Sequence, residues 1–134
     1  MSNYKVVSVG DVKNAFAEKG WPGAMRFLTK DLDNQQIAIT HRLMPQHAGG
    51  KGGYGHKHKT QEEIVYVIRG ELEIKLDEVV EVVSAGQAIR IAPEVVRSLW
   101  NDKPAEAEIL IISTKTDNLS DDTEIVKDFW PLVT

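Results

Sequence analysis

The chain has 134 residues, 42% hydrophobic and 27% charged, with a formal net charge of −4. That length fits one domain with a buried core of its own, and the acidic balance excludes a general nucleic-acid binder, which would show a basic face. No apolar run nears the length of a membrane span, and there are no cysteines to supply disulfides, thiolate nucleophiles or thiolate ligands.

In chain order, Met1-Ser2-Asn3-Tyr4-Lys5 lacks the apolar stretch of a secretory signal, and a cytoplasmic location is expected. Asp11 is placed to cap a short helix through about Lys19, with Val12, Ala15 and Phe16 on one side and Gly20 as its stop. Trp21-Pro22-Gly23 reads as a turn, and Met25 to Leu28 as a first strand. From Gln36 to Leu43 the residues alternate: Ile37, Ile39, His41 and Leu43 share a face opposed by Ala38, Thr40 and Arg42. The apolar set is expected to face inward, with His41 as a hydrogen-bonded or pocket-lining histidine. Pro45 to Tyr54 is a glycine-rich loop, in which His47 is expected to face solvent.

Short strands follow one another after that loop: Glu63 to Arg69, Glu71 to Leu76, Val79 to Val83, Ala88 to Ala92, Val95 to Trp100 and Ala107 to Ser113. Turn residues separate them, which indicates an all-β sandwich or barrel. Ile37, Ile39, Val65, Val67, Ile74, Ile91, Leu99 and Leu110 are its expected core. Glu63 to Ile68 is apolar on both faces, so its strand needs a second cover beyond the barrel interior. Lys115 to Glu124 is polar and acidic, but Ile125, Val126, Phe129, Trp130 and Pro131 restore apolar character, so the tail is expected to dock.

His56 and His58 lie two apart. In an extended segment both project from one face, and a strand after a short turn can bring Glu63 to it. Two imidazoles and a carboxylate form a facial triad suited to Fe(II), and the same set accepts Mn, Ni or Zn. Alternation sends Glu62 and Glu63 to opposite faces. Gln61 reads mainly as a surface residue. Lys51, Lys57 and Lys59 surround the histidines, chiefly as solubilising charges of the loop, with attraction of an anion as the second reading.

Gly50, His56, His58, Glu63 and Gly70 together form G-x5-H-x-H-x4-E-x6-G, which closely resembles the first motif of the cupin superfamily. Downstream, Gly86, Pro93 and Asn101 fall at places of the second motif. Glu94 stands where glycine is usual, and Arg97 stands where a fourth ligand, a histidine, is expected. The resemblance implies a double-stranded β-helix, the jelly-roll or cupin barrel, here with a short N-terminal helix. It implies one cupin domain over 1–134, with a barrel core at about 25–114 and the tail 115–134 packed on the barrel or on a partner. It also implies a homodimer.

Arginine cannot ligate a metal, so Arg97 leaves three arrangements open. It repels an ion from the site, it pairs with Glu63 in place of a metal, or it clamps a substrate anion beside a metal held by three ligands. Two functions follow. One is a metal-dependent enzyme acting on a small anionic molecule, with His56, His58 and Glu63 as ligands and Arg97, Tyr54, Gln61 and His41 as substrate-binding candidates. In that reading Tyr54 or Tyr66 is the candidate proton donor. The other is a metal-free barrel that binds a small ligand, with an Arg97–Glu63 pair in the centre.

Overall fold

The structure, a computed structural model, describes residues 3–132. Ten strands form two five-stranded antiparallel sheets. The first has the order β1 (Ala24–Phe27), β2 (Ile37–Met44), β9 (Ala107–Thr114), β4 (Glu63–Arg69) and β7 (Ala88–Ile91). The second has the order β10 (Thr123–Val126), β3 (Gly55–His58), β8 (Arg97–Trp100), β5 (Glu71–Leu76) and β6 (Val79–Ser84). Short helices α1 (Leu28–Asp31) and α2 (Leu119–Asp122) complete the fold. The β4–β5 reversal turns on Gly70 at φ 85, where a Cβ would sit 2.9 Å from the Ala107 backbone, so only glycine makes this turn without strain. Two facing antiparallel sheets with this connectivity are the jelly-roll arrangement that the resemblance implies, within the all-β sandwich or barrel that the strand spacing predicts. No described helix is long and apolar enough to cross a membrane.

Met44, Val65, Val67, Leu72, Ile74, Ile91 and Ile109 form the dry core, each almost fully buried. Leu99 packs on its edge. The apolar face of β2 is a correction. Ala38, Thr40 and Arg42 point inward with Met44, while Ile37 is 54% exposed on the outside. The alternation was legible but its phase was inverted, because the barrel end that β2 walls is an open cavity rather than a packed core. Leu110 likewise belongs to the outer face, in register with His41 and Tyr66.

The expected helix from Asp11 to Lys19 is also corrected, to two isolated 3-10 turns at Val9–Asp11 and Ala17–Lys19. Between them the backbone is committed to β1. Ala15 N–H donates to Met25 O at 2.8 Å, and the Asn14 side chain accepts from Phe16 N and Met25 N. Gly20 does end the second turn, at φ 65. At the other end of the chain, β10 pairs with β3 along its whole length, and Trp130 is 3% exposed. Phe129 lies so close to Gly55 that a Cβ there would meet its ring at 2.4 Å.

Candidate metal centre

His56 and His58 project from β3 to the same side, and Glu63 comes from the first position of β4. One ligand atom from each lies within 4.8 Å of the others. All three line a cavity of about 1100 Å³ together with Arg97, Gln61 and Tyr54. Arg97 is in register with His56 on the adjoining β8, so its side chain enters the barrel beside the triad and is 1% exposed. Its Nη2 donates to Ala92 O at 2.7 Å, and its Nε lies 4.0 Å from Glu63 Oε1. Nε and Nη1 are buried without a hydrogen-bond partner.

His58 stands between two carboxylates. Its Nδ1 is 3.3 Å from Asp122 Oδ2 and its Nε2 is 3.4 Å from Glu63 Oε2. The negative charge of Asp122 favours a proton on Nδ1, which leaves Nε2 to face the Glu63 carboxylate. Nε2 is buried and has no hydrogen-bond partner. A ring nitrogen and a carboxylate oxygen facing each other out of water call for a proton or a cation between them, and the donor set of two imidazoles and a carboxylate suits a divalent transition metal as that cation. The residues present therefore fit a metal.

The electrostatics favour the ligand forms. Burial pushes the His56 imidazole down to about 4; Glu63 opposes this, and His58 and Arg97 reinforce it. For Glu63, burial acts upward, but contact with His58 and the charge of Arg97 prevail and hold the carboxyl below its ordinary range. A neutral imidazole and an ionised carboxylate are the forms that bind metal. A stability prediction follows for the metal-free protein. Between the ordinary histidine value near 6.5 and about 4, the unfolded chain binds a proton at His56 that the folded chain refuses. Stability is therefore full above pH 6.5 and falls on acidification through that window, by about 2 kcal/mol at pH 5. Urea unfolding of chelator-treated protein at pH 7 and pH 5 checks this; His56→Asn should flatten the difference, and a wild type equally stable at both would contradict it.

Asp122 was invisible in the sequence, being one acid among several in a polar stretch. It is 5% exposed at the end of α2. Its Oδ1 accepts from Thr60 N at 2.9 Å and from the Thr60 hydroxyl, and its Oδ2 lies 3.2 Å from the donating Gln61 N. Burial pushes its carboxyl up, but these hydrogen bonds and the charge of His58 outweigh burial and hold it low. A carboxylate behind a ligating histidine orients the ring and raises its basicity. Asp122→Asn should weaken metal binding about tenfold while the fold survives; unchanged affinity in a metal titration would remove Asp122 from this role.

The other candidates separate. Tyr54 sits at the cavity rim, 60% exposed. Gln61 is 4% exposed rather than on the surface, its Nε2 donating to Thr114 O at 2.6 Å. His41 is corrected: it leaves β2 on the outer face, where its Nε2 lies 2.7 Å from Glu108 Oε2, and it takes no part in the cavity. Tyr66 also faces outward, in register with Leu110. His47 is exposed and stacks on Trp100. Lys57 pairs with Glu124 and Lys51 lies over Trp130, so both are turned to the tail. The lysines that do line the cavity are Lys19, Lys30 and Lys115.

The cupin domain family (Cupin_2) matches residues 42–113, more than half of the chain, and the chain belongs to that family. No curated protein matches it. Among solved structures, a cupin protein from Bacteroides fragilis is 26% identical, covers 89% of this chain and 90% of its own, and superposes with a TM-score of 0.69. A protein described as a sugar phosphate isomerase of the cupin superfamily, from Silicibacter pomeroyi, is 14% identical over 92% of this chain and 93% of its own, with a TM-score of 0.71. The Cupin_2 domain of an XRE family transcriptional regulator from Enterobacter cloacae is 18% identical over 72% of this chain and 99% of its own, with a TM-score of 0.61. At such identities the last two share the fold with this chain.

Proposed function

We propose that this cupin is a metal-dependent enzyme: His56, His58 and Glu63 hold a divalent Fe, Mn, Ni or Zn ion, and a small anionic molecule binds beside it. The observation that carries this reading is the unpartnered, buried Nε2 of His58 facing the Glu63 carboxylate among three converging ligands. When bound, such an ion supplies Lewis-acid polarisation of a coordinated group. The chain itself supplies two imidazole nitrogens and one carboxylate. Arg97 supplies a fixed positive charge whose Nε and Nη1 protons have no acceptor in the protein, which suits an anionic group on the substrate. The sugar phosphate isomerase named above lends only its fold at 14% identity, so the chemistry of the anion rests on this cavity alone.

Metal analysis of untagged protein, followed by titration after chelation, tests the reading. Stoichiometric binding of one of the four ions is expected. Failure to bind any of them favours the metal-free alternative, in which Arg97 serves as the cation of the centre. Against that alternative, the guanidinium stops 4.0 Å from Glu63 without a hydrogen bond, whereas a cation substitute should make a bidentate pair.

We also propose a homodimer through the outer face of the first sheet. Ile37, Ile64, Tyr66 and Ile68 are each between 38% and 54% exposed there, with Leu110 and Ile112 in register between them. An exposed apolar patch on a sheet face marks an interaction surface. Light scattering should give twice the chain mass, and Ile64→Glu with Tyr66→Glu should give a monomer. A monomeric wild type would refute this assembly.

A further inference from the structure

We propose that the ligand of this cavity is a carboxylic acid with an apolar, aromatic body, its carboxylate gripped by Arg42 and its body lying against Phe16, Met25, Phe27 and Ile111. The inference rests on the reading of the cavity as a small-anion site, names the class of anion, and places its acid group at Arg42 rather than beside Arg97.

The register of the first sheet sets out the ligand's path. Three inward rows cross the strands at successive levels. Ala38, Ser113 and Glu63 form the row at the metal centre. Phe27, Thr40 and Ile111 form the next. Met25 and Arg42 form the third. Arg42 is four residues along β2 from the row of Glu63, about 13 Å at the rise of an extended strand. That span, shortened by the two long side chains, is the length of an aromatic ring with a short acid arm.

Each row has the matching chemistry. Arg42 enters the cavity beside the Phe16 ring, 5.5 Å from its Cζ. Its Nε is buried with no hydrogen-bond partner. A guanidinium with a free Nε–H offers the side-on fork that a carboxylate fills with two hydrogen bonds. Burial pushes Arg42 down to about 10, which leaves it charged at neutral pH. The middle row offers two apolar side chains and a single hydroxyl, and the Thr29 hydroxyl near it is already bonded to Ile39 N. Phe16 and Trp21 meet edge to face at 5.3 Å and extend this wall to the mouth, where Lys19 lies 4.3 Å over the Trp21 ring. Phe27 and Trp21 are about half exposed while lining the cavity, as surfaces awaiting an apolar partner would be. A polyol body would set its hydroxyls against these rings with few partners.

Calorimetry on the full chain, metal-free and with Zn(II) added, tests this with four probes: 3-phenylpropionate, acetate, inorganic phosphate and glycerol 3-phosphate. Phenylpropionate should bind at least tenfold tighter than each of the others. Arg42→Met, which keeps the apolar stem and removes a guanidinium whose buried Nε has no hydrogen-bond partner, should weaken phenylpropionate at least tenfold without lowering the melting temperature. Trp21→Ser, at an exposed position, should weaken phenylpropionate severalfold and leave acetate unchanged. Tighter binding of either phosphate overturns the aromatic-acid assignment and leaves the small-anion reading intact. Binding of phenylpropionate that ignores both substitutions overturns the placement on Arg42 and its wall. Absence of binding by all four probes in both forms overturns the inference together with the reading it rests on.

Discussion

His58→Ala is expected to lower divalent-metal affinity at least a hundredfold, a loss of about 2.7 kcal/mol. Three effects act in the same direction. One of three ligands goes, and a site of three cannot lose one and hold the ion against water. The Asp122 carboxylate, 3.3 Å from the ring, loses the group it orients. Glu63, the only anionic ligand, loses its nearest neighbour at 3.4 Å and is left to the distant Arg97 guanidinium. The fold should persist, because Asp122 keeps its bonds from Thr60 and Gln61 and the dry core lies in other residues. Metal titration beside a thermal melt separates the two effects. A variant that binds metal as the wild type does, while folded, would show that the ion, if any, is held elsewhere.

The fold was legible wherever a local signal existed. The strands between Glu63 and Ser113 are bounded by Gly70, Asp77-Glu78, Gly86 and Pro93, and turn residues act locally, so their spacing gave the barrel. The triad was legible from its spacing: His56 and His58 share a face by strand period, and the resemblance of the run from Gly50 to Gly70 to the first cupin motif picks out Glu63. Three features depended on partners far along the chain. Thr123–Val126 becomes a strand through pairing with β3, not through its own propensity. Asp122 reaches His58 only because that strand docks. The phase of β2 depends on what lies inside the barrel, and an arginine opposite three isoleucine and leucine positions reads as a surface residue unless a cavity is foreseen. The inward row of Ala38, Thr40 and Arg42 was the available signal, since small and polar side chains along one strand face leave room for a ligand.

Arg97→His is expected to tighten divalent-metal binding about a hundredfold. Arg97 is in register with His56 and 1% exposed, so a histidine there would start from the same inward direction and add a fourth nitrogen to the set. Removal of the guanidinium has the larger effect. Charges of +1 and +2 about 5 Å apart repel by roughly 7 kcal/mol at an effective dielectric near 20, and a hundredfold gain needs only about 2.7 kcal/mol of that. Losses work against it in the metal-free protein. Ala92 O loses its 2.7 Å donor, and Glu63 loses the positive charge that helps hold its carboxyl low. The metal-free variant should therefore melt below the wild type, and the metal-loaded variant above it. Calorimetric titration of both proteins with Zn(II) and Mn(II), beside melts with and without metal, reads every part of this. Equal affinities would mean that Arg97 neither repels the ion nor occupies a ligand position, and that its unpartnered nitrogens serve the bound anion alone.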